Sequence, residues 1–192
     1  MDMMKPKTSL RQTVIERRTI QEFNGLPIPL ETIHEILEAA IWAPFHSKKE
    51  PWRFILFMNE GREKFASAVL STRNPEFVAK YGQQIRAAYC EQTPVHLVVV
   101  MTANLPSKAW EEAFAATSAL IQNIQLLAWE QQIGVVWKTS PFNENPLFCE
   151  AIGVTSEEKI VGTLHMGYFN AEDQPIPKPR TPLPELLHLI DH

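Results

Sequence analysis

Trp42-Ala-Pro-Phe-His-Ser-Lys-Lys-Glu-Pro-Trp-Arg-Phe54 joins an amphipathic segment to an apolar run. Pro44 stops the helix before it, because its ring cannot continue the backbone ladder. After Pro51 come Trp52, Phe54, Ile55, Leu56, Phe57 and Met58, the aromatic and β-branched types that suit a strand. The stretch is therefore a helix–loop–strand connection whose loop carries His46, Ser47, Lys48, Lys49 and Glu50. Two readings fit that loop. It is a solvated charged connection, which the stretch alone favours, or a site held by a rigid scaffold.

Outward from the loop, the upstream helix is marked by Leu30, Ile33, Ile36, Leu37, Ala40 and Ile41 at helical spacing. His34 on it reads as a surface or boundary histidine. Ser9-x-x-Gln12 predicts a capping box, and Leu10, Val14 and Ile15 continue a helix to about Arg18. Arg17 and Arg18 then either cover a helix C-terminus or clamp a phosphate, whose oxygens match the guanidinium fork. Downstream, helices are predicted over Glu60–Leu70, Pro75–Glu91, Trp110–Gln132 and Glu144–Ile152. Pro94–Met101 reads as a fully buried strand with His96 in a structural role. Val135–Thr139 is a short strand, and Lys159–Phe169 a longer one in which Gly162 and Gly167 permit close approach.

Ala113–Trp129 is apolar nearly all round, so it needs a central core position or a partner chain. Gln174–Pro184 is proline-rich and extended. The final turn Glu185–Ile190 carries Leu186, Leu187, Leu189 and Ile190, which imply docking and not a free end. The predicted organisation is a single domain over residues 1–192 with an extended C-terminal arm from about 171. Helices and strands mix without a βαβ rhythm, which predicts an α+β fold.

Hydrophobic residues make up 45% of the chain and charged residues 21%, ordinary globular values. A net charge of −4 gives no footprint for nucleic acid or an anionic membrane. No run reaches membrane-span length, and Met1–Lys7 has no apolar signal core. The distant pair Cys90 and Cys149 makes neither a disulfide framework nor a zinc pattern, so a reducing cytoplasm is the expected setting. The common nucleotide, dinucleotide, zinc-protease and hydrolase motifs are absent, and no metal site is expected.

Five motifs, in order, resemble the nitroreductase family of FMN-dependent NAD(P)H oxidoreductases. Ala43-Pro44 followed by Pro51-Trp52 is similar to that family's flavin loop, Ala-Pro-Ser-Ala-x-Asn-x-Gln-Pro-Trp. Glu16–Phe23 resembles its opening Arg-Arg-Ser-x-Arg-x-Phe. Gly134–Thr139, Lys159–Gly167 and Lys178-Pro-Arg180 extend the likeness over nearly the whole chain. His46 places it nearest the short, minimal branch of NAD(P)H nitroreductases. Lys48, Glu50 and Lys138 stand where many members have Asn, Gln and Arg.

The resemblance implies a mixed central sheet flanked by helices, in an intertwined homodimer with FMN at the interface. It implies that Arg17, Lys178 and Arg180 hold the phosphate, with Arg18 and Thr19 completing the first strip and Gln21 at the ring edge. Trp42 and His46 face the flavin, and Trp137, Lys138 and Thr139 form a second strip. For Trp137, a plain core position is an equal reading. NADH or NADPH then reduces the flavin and a small-molecule electron acceptor, a nitroaromatic or quinone, reoxidises it in ping-pong fashion. No dedicated catalytic side chain is expected. A non-catalytic flavin-binding protein of the same fold is the alternative, and a cofactor-free interaction domain the third reading.

Overall fold

The computed structural model describes residues 9–47 and 49–191. The readings of Met1–Lys7 and of Lys48 lie outside the described residues. Helix α1 spans Leu10–Glu16 with Ser9 as its N-cap, the Ser9 hydroxyl accepting from Gln12 N at 3.2 Å. That is one half of the predicted capping box. The other half does not form, because Gln12 Nε2 donates to Glu16 at 2.8 Å. Helix α2 covers Leu30–Ala40 and buries Ile33, Ile36 and Ala40. Strand β1, Trp52–Met58, follows the loop as expected.

Helix α3 is Gly61–Ser71 and α4 is Pro75–Arg86, capped by Asn74 accepting from Phe77 N. The segment predicted as one helix to Glu91 instead widens at its end into a π-helix over Ala87–Gln92. Two side chains take carbonyls of that wide turn. Thr93 Oγ1 donates to Ala88 O at 2.9 Å, and His96 Nε2 lies 2.9 Å from Tyr89 O. Strand β2 is Val95–Thr102, buried up to its last residue, and the long helix α5 is Ser107–Glu130. Strand β3, Ile133–Lys138, leads through a 3-10 turn to α6, Pro146–Ile152, whose cap is Asn145. Strand β4, Glu158–Tyr168, completes the sheet.

The strand order is β1-β2-β4-β3 and every neighbouring pair is antiparallel. A parallel element joins at the β3 edge, where Thr19 bridges Val135 and Ile20 N donates to Val135 O at 3.3 Å. The sheet separates two apolar layers, because successive side chains on a strand point to opposite faces. One layer holds Leu97, Val99, Val135, Leu164 and Met166 against α2 and α5. The other holds Phe57, Val98 and Val100 with Phe65 of α3 and Phe148 of α6. Helix α5 buries Ala113, Leu120, Ile121, Ile124 and Ala128 against the sheet, while Phe114, Leu126, Leu127 and Trp129 stay only half-buried on the single chain, so the core position meets part of what its all-round apolarity requires.

The two glycines flagged in β4 are crossed by aromatic side chains. A Cβ on Gly162 would collide with the Trp137 indole, and one on Gly167 with the Phe23 ring. Beyond the sheet the chain runs exposed from Asn170 to Asp191. Its single helical turn, α7, is Leu183–Leu186, with Pro184 in the first turn where its missing N–H costs nothing. The tail residues Leu183 and Ile190 are 68% and 76% exposed on the isolated chain. Among the described residues no helix is long and apolar enough to cross a membrane.

Candidate functional site

Helix α1 ends because Arg17 leaves helical dihedrals, at φ −53° and ψ 133°. The two arginines then separate in role. Arg18 Nη1 donates to Ile15 O at 2.7 Å and to Arg17 O at 2.9 Å, so it covers the last carbonyls of the helix. Its Nε is buried and without a partner among the described residues. Arg17 reaches across to α5, where Nη1 donates to Gln125 Oε1 at 3.3 Å. Partial burial, then the charge of Arg18, then that of Arg180 hold the Arg17 guanidinium below its ordinary pKa. A guanidinium does not give up its proton in a protein, so the consequence is electrostatic. Three like charges converge, one from the arm and two from the end of α1. Among the described residues no carboxylate pairs with Arg17, Arg18 or Arg180.

From this basic corner the chain runs along the edge of β3. Thr19 is exposed at the bridge to Val135, Ile20 is buried, and Gln21 projects into a cavity of about 640 Å3. Glu22, Phe23, Val136, Lys138 and His165 continue the lining from the sheet side. Ile85 of α4 and Ala88, Tyr89, Gln92 and Thr93 from the π-helix and the residue after it close the other side. The volume is that of a small-molecule or cofactor site, with a lining that mixes polar and charged side chains with Phe23, Ile85, Ala88 and Val136. π-Helical turns recur at functional sites, and this one forms a wall.

Behind the cavity lies a buried histidine pair. Nδ1 of His96 on β2 is 2.7 Å from Nδ1 of His165 on β4. Phe65 stacks on His96 with ring centroids 4.2 Å apart. Burial pushes His96 down to about 4, against the Tyr89 hydrogen bond that raises it and with Arg62 lowering it further. His165 is held well below the usual range by burial, then by His96 and Lys138. Burial pushes the Tyr89 hydroxyl up.

The remaining residues named from sequence lie elsewhere on the single chain. Trp42 is 87% exposed at the end of α2. His46 is also exposed, its Nε2 3.6 Å from Glu112 of α5, and it lines a separate groove with Phe45, Ala115 and Ala119. Trp137 packs as a core residue, its indole over Gly162 and its Nε1 donating to Val161 O at 3.3 Å. It therefore lies on the opposite face of β3 from Lys138. Thr139 and Lys178 are exposed, and Arg18 lines a cleft of its own with Trp129 and Phe169. Sequence reasoning passed over Gln125, Tyr89 and His165. The amides Gln122, Asn123 and Gln125 inside the apolar stretch of α5 were the available signal, and only the fold shows that Gln125 is the buried one. For His165 it was a second histidine in register with His96. Among the described residues no group of three or more His, Cys, Asp or Glu side chains is placed to hold a metal ion.

An antiparallel sheet between helical layers, with a cluster of arginines at the end of α1 and a cavity of cofactor size along β3, defines the class of α+β domain to which the chain is to be compared. The chain belongs to the nitroreductase family, whose sequence profile matches residues 14–168. It is 34% identical over 177 residues to YfhC of Bacillus subtilis (strain 168), a protein provisionally named an NAD(P)H nitroreductase. That match spans 91% of this chain and 90% of YfhC. A nitroreductase-like family protein from Bacillus cereus superposes with a TM-score of 0.91 at 40% identity, covering 98% of this chain and all of the other. The fold also matches NfnB of Sphigopyxis sp. strain HMH, described as an FMN and NADPH-dependent nitroreductase. There the TM-score is 0.77 at 16% identity, over 96% of this chain and 100% of NfnB.

Proposed function

We propose that the chain is an FMN-dependent oxidoreductase that takes electrons from NADH or NADPH and passes them to a small conjugated acceptor, a nitroaromatic or a quinone, in ping-pong order. One observation carries the reading. Arg17, Arg18 and Arg180 converge without a carboxylate partner among the described residues, with a buried unpartnered Arg18 Nε, and the segment that leaves them carries Gln21 into a cavity also lined by Lys138. Unpaired cations at a half-buried corner fit a phosphate group, and the cavity fits a ring system.

FMN, when bound, supplies the hydride chemistry of both half-reactions. The chain's own residues supply grip and electrostatics. Arg17 and Arg180 hold the phosphate, with Lys178 joining from the arm, and Arg18 and Thr19 border it. Gln21 donates a hydrogen bond at the ring edge. The ammonium of Lys138, on the same cavity wall, would stabilise negative charge on a bound ring, a task that a neutral amide performs less well. Thr139 and Trp137 complete the β3 strip, Trp137 by supporting it from the opposite face.

Trp42 and His46 belong to the same function through a second copy of the chain. On one chain they lie in a different groove from Gln21 and Lys138. The exposed apolar residues of α1, of the loop and of the tail give a homodimer its interface, Leu10 and Trp42 at 71% and 87% exposure among them. The chain then acts as one domain with an arm from about 171.

An anaerobic titration tests the reading. Purified protein loaded with FMN is mixed with NADH or NADPH and its flavin absorbance followed. Rapid bleaching, reversed by a nitroaromatic or quinone, is the expected result. Bound but slowly reduced flavin identifies the non-catalytic flavin-binding alternative. A protein that takes up no FMN excludes both.

A further inference from the structure

The proton positions in the histidine pair follow from its partners. Tyr89 O is a carbonyl and only accepts, so His96 Nε2 carries a proton. In a neutral imidazole the other nitrogen is then bare, so His96 Nδ1 accepts. The proton shared across the 2.7 Å contact therefore belongs to His165 Nδ1. A neutral His165 must then present Nε2 as a bare acceptor. That atom is buried and has no partner among the described residues, although His165 itself is 3% exposed and lines the cavity.

Its direction also follows from the fold. Strand β4 lies between β2 and β3. With Nδ1 turned to His96 on β2, Nε2 lies on the far edge of the ring, toward Val136 and Lys138 of β3, which line the same cavity. A buried polar atom left unpaired carries a desolvation cost of about 1–3 kcal/mol, so such atoms are usually satisfied. The widened π-helical turn holds the arrangement, because it places the Tyr89 carbonyl against His96.

We infer that His165 Nε2 is an unsatisfied hydrogen-bond acceptor built into the cavity wall and selects a planar ligand bearing a ring N–H or phenolic O–H. The pair remains uncharged near neutral pH, as the burial of both rings requires, so the atom reads a neutral donor and not an anion. His96 acts through His165 and is a positioning residue. Two sources share this chemistry, the imide N–H of the flavin ring and a phenolic acceptor. Both rest on the function proposed above, and only the binding of a phenol to flavin-free protein is independent of it.

The test observes the atom directly. Long-range proton–nitrogen NMR of the 15N-labelled chain reports the imidazole nitrogens of His96 and His165. Without ligand, His165 Nε2 is expected at the position of an unprotonated nitrogen, and His96 Nε2 at that of a protonated one. FMN and its N3-methyl analogue form one arm. p-Cresol and 4-methylanisole form the other, on flavin-free and on FMN-loaded protein.

A shift of the His165 Nε2 signal toward the protonated range with FMN, but not with N3-methyl FMN, assigns the donor to the flavin. A shift with p-cresol on loaded protein, and none with 4-methylanisole, assigns it to the acceptor. In the acceptor case p-cresol binds roughly three- to tenfold tighter than 4-methylanisole, and His165→Leu removes the preference. Because that variant leaves His96 Nδ1 unpaired and risks misfolding, the NMR of the unaltered chain decides. A protonated His165 Nε2 in the free protein overturns the inference, as does a signal that neither FMN nor p-cresol moves. If FMN does not bind at all, the cofactor reading fails, and the p-cresol arm on flavin-free protein alone decides this one.

Discussion

Acidification strains the histidine pair before it reaches most carboxylates. In the unfolded chain His96 takes up a proton near the ordinary histidine value of 6.5, whereas in the folded chain it does so only at about 4. Between those values the unfolded state binds the extra proton, so the folded state loses stability as pH falls. The contribution is therefore intact above 6.5 and fully lost at about 4. At roughly 1.4 kcal/mol per pH unit of displacement, the loss from His96 alone is about 3 kcal/mol. His165 is displaced in the same direction and adds to the loss. That is a large part of the ~5–15 kcal/mol by which domains are stable. Urea unfolding followed by tryptophan fluorescence at a series of pH values measures it. The control is His96→Phe combined with His165→Leu, which removes both titrating rings. Its stability should vary less across the same window, by about 3 kcal/mol or more. Equal slopes for the two proteins between pH 6.5 and 4 would refute the buried, neutral pair.

Three further outcomes are expected. Arg17→Ala weakens FMN binding by roughly 1.5–3 kcal/mol, a ten- to hundredfold rise in the dissociation constant by equilibrium dialysis. An unchanged constant removes Arg17 from the phosphate site. Gly162→Ala drives a methyl group into the Trp137 indole and lowers stability by about 1–3 kcal/mol in chemical denaturation, whereas a neutral result shows that the indole repacks freely. Ending the chain before Pro175 removes Lys178, Arg180 and the apolar tail together. If the full-length chain is the homodimer proposed above, light scattering should then show a lighter species for the fragment and absorbance should show no flavin; a yellow, dimeric fragment makes the arm dispensable.

Most elements were legible because their signals are local. Pro44 and Pro51 bracket the loop, and β1 starts at Trp52 as its apolar run requires. The buried character of β2 followed from Val95 to Met101 alone. Gly162 and Gly167 marked close approaches, though only the fold shows which side chains make them. The π-helix was not legible. It depends on Thr93 and His96 taking carbonyls from a turn that propensity alone continues as an α-helix. The candidate site was legible in part for the same reason. Type and motif single out Arg17, Gln21 and Lys138, and the structure puts Gln21 and Lys138 on one cavity. His165 acquires its character from a ring on another strand, and Trp137 is assigned to the core by an alternation that only the register resolves.

The segment from Thr19 to Asn24 has a second consequence. It lies along β3 and β4, with Ile20 N bonded to Val135 O and Asn24 N bonded to Tyr168 O at 2.8 Å. A sheet border left bare invites another chain to pair with it and propagate. Here the cover is stitched by few backbone bonds and the buried side chain of Ile20, and it emerges directly from the arginine doublet. If those arginines hold a phosphate as proposed above, losing it is expected to loosen this cover, read as turbidity on storage that an added phosphate ester delays.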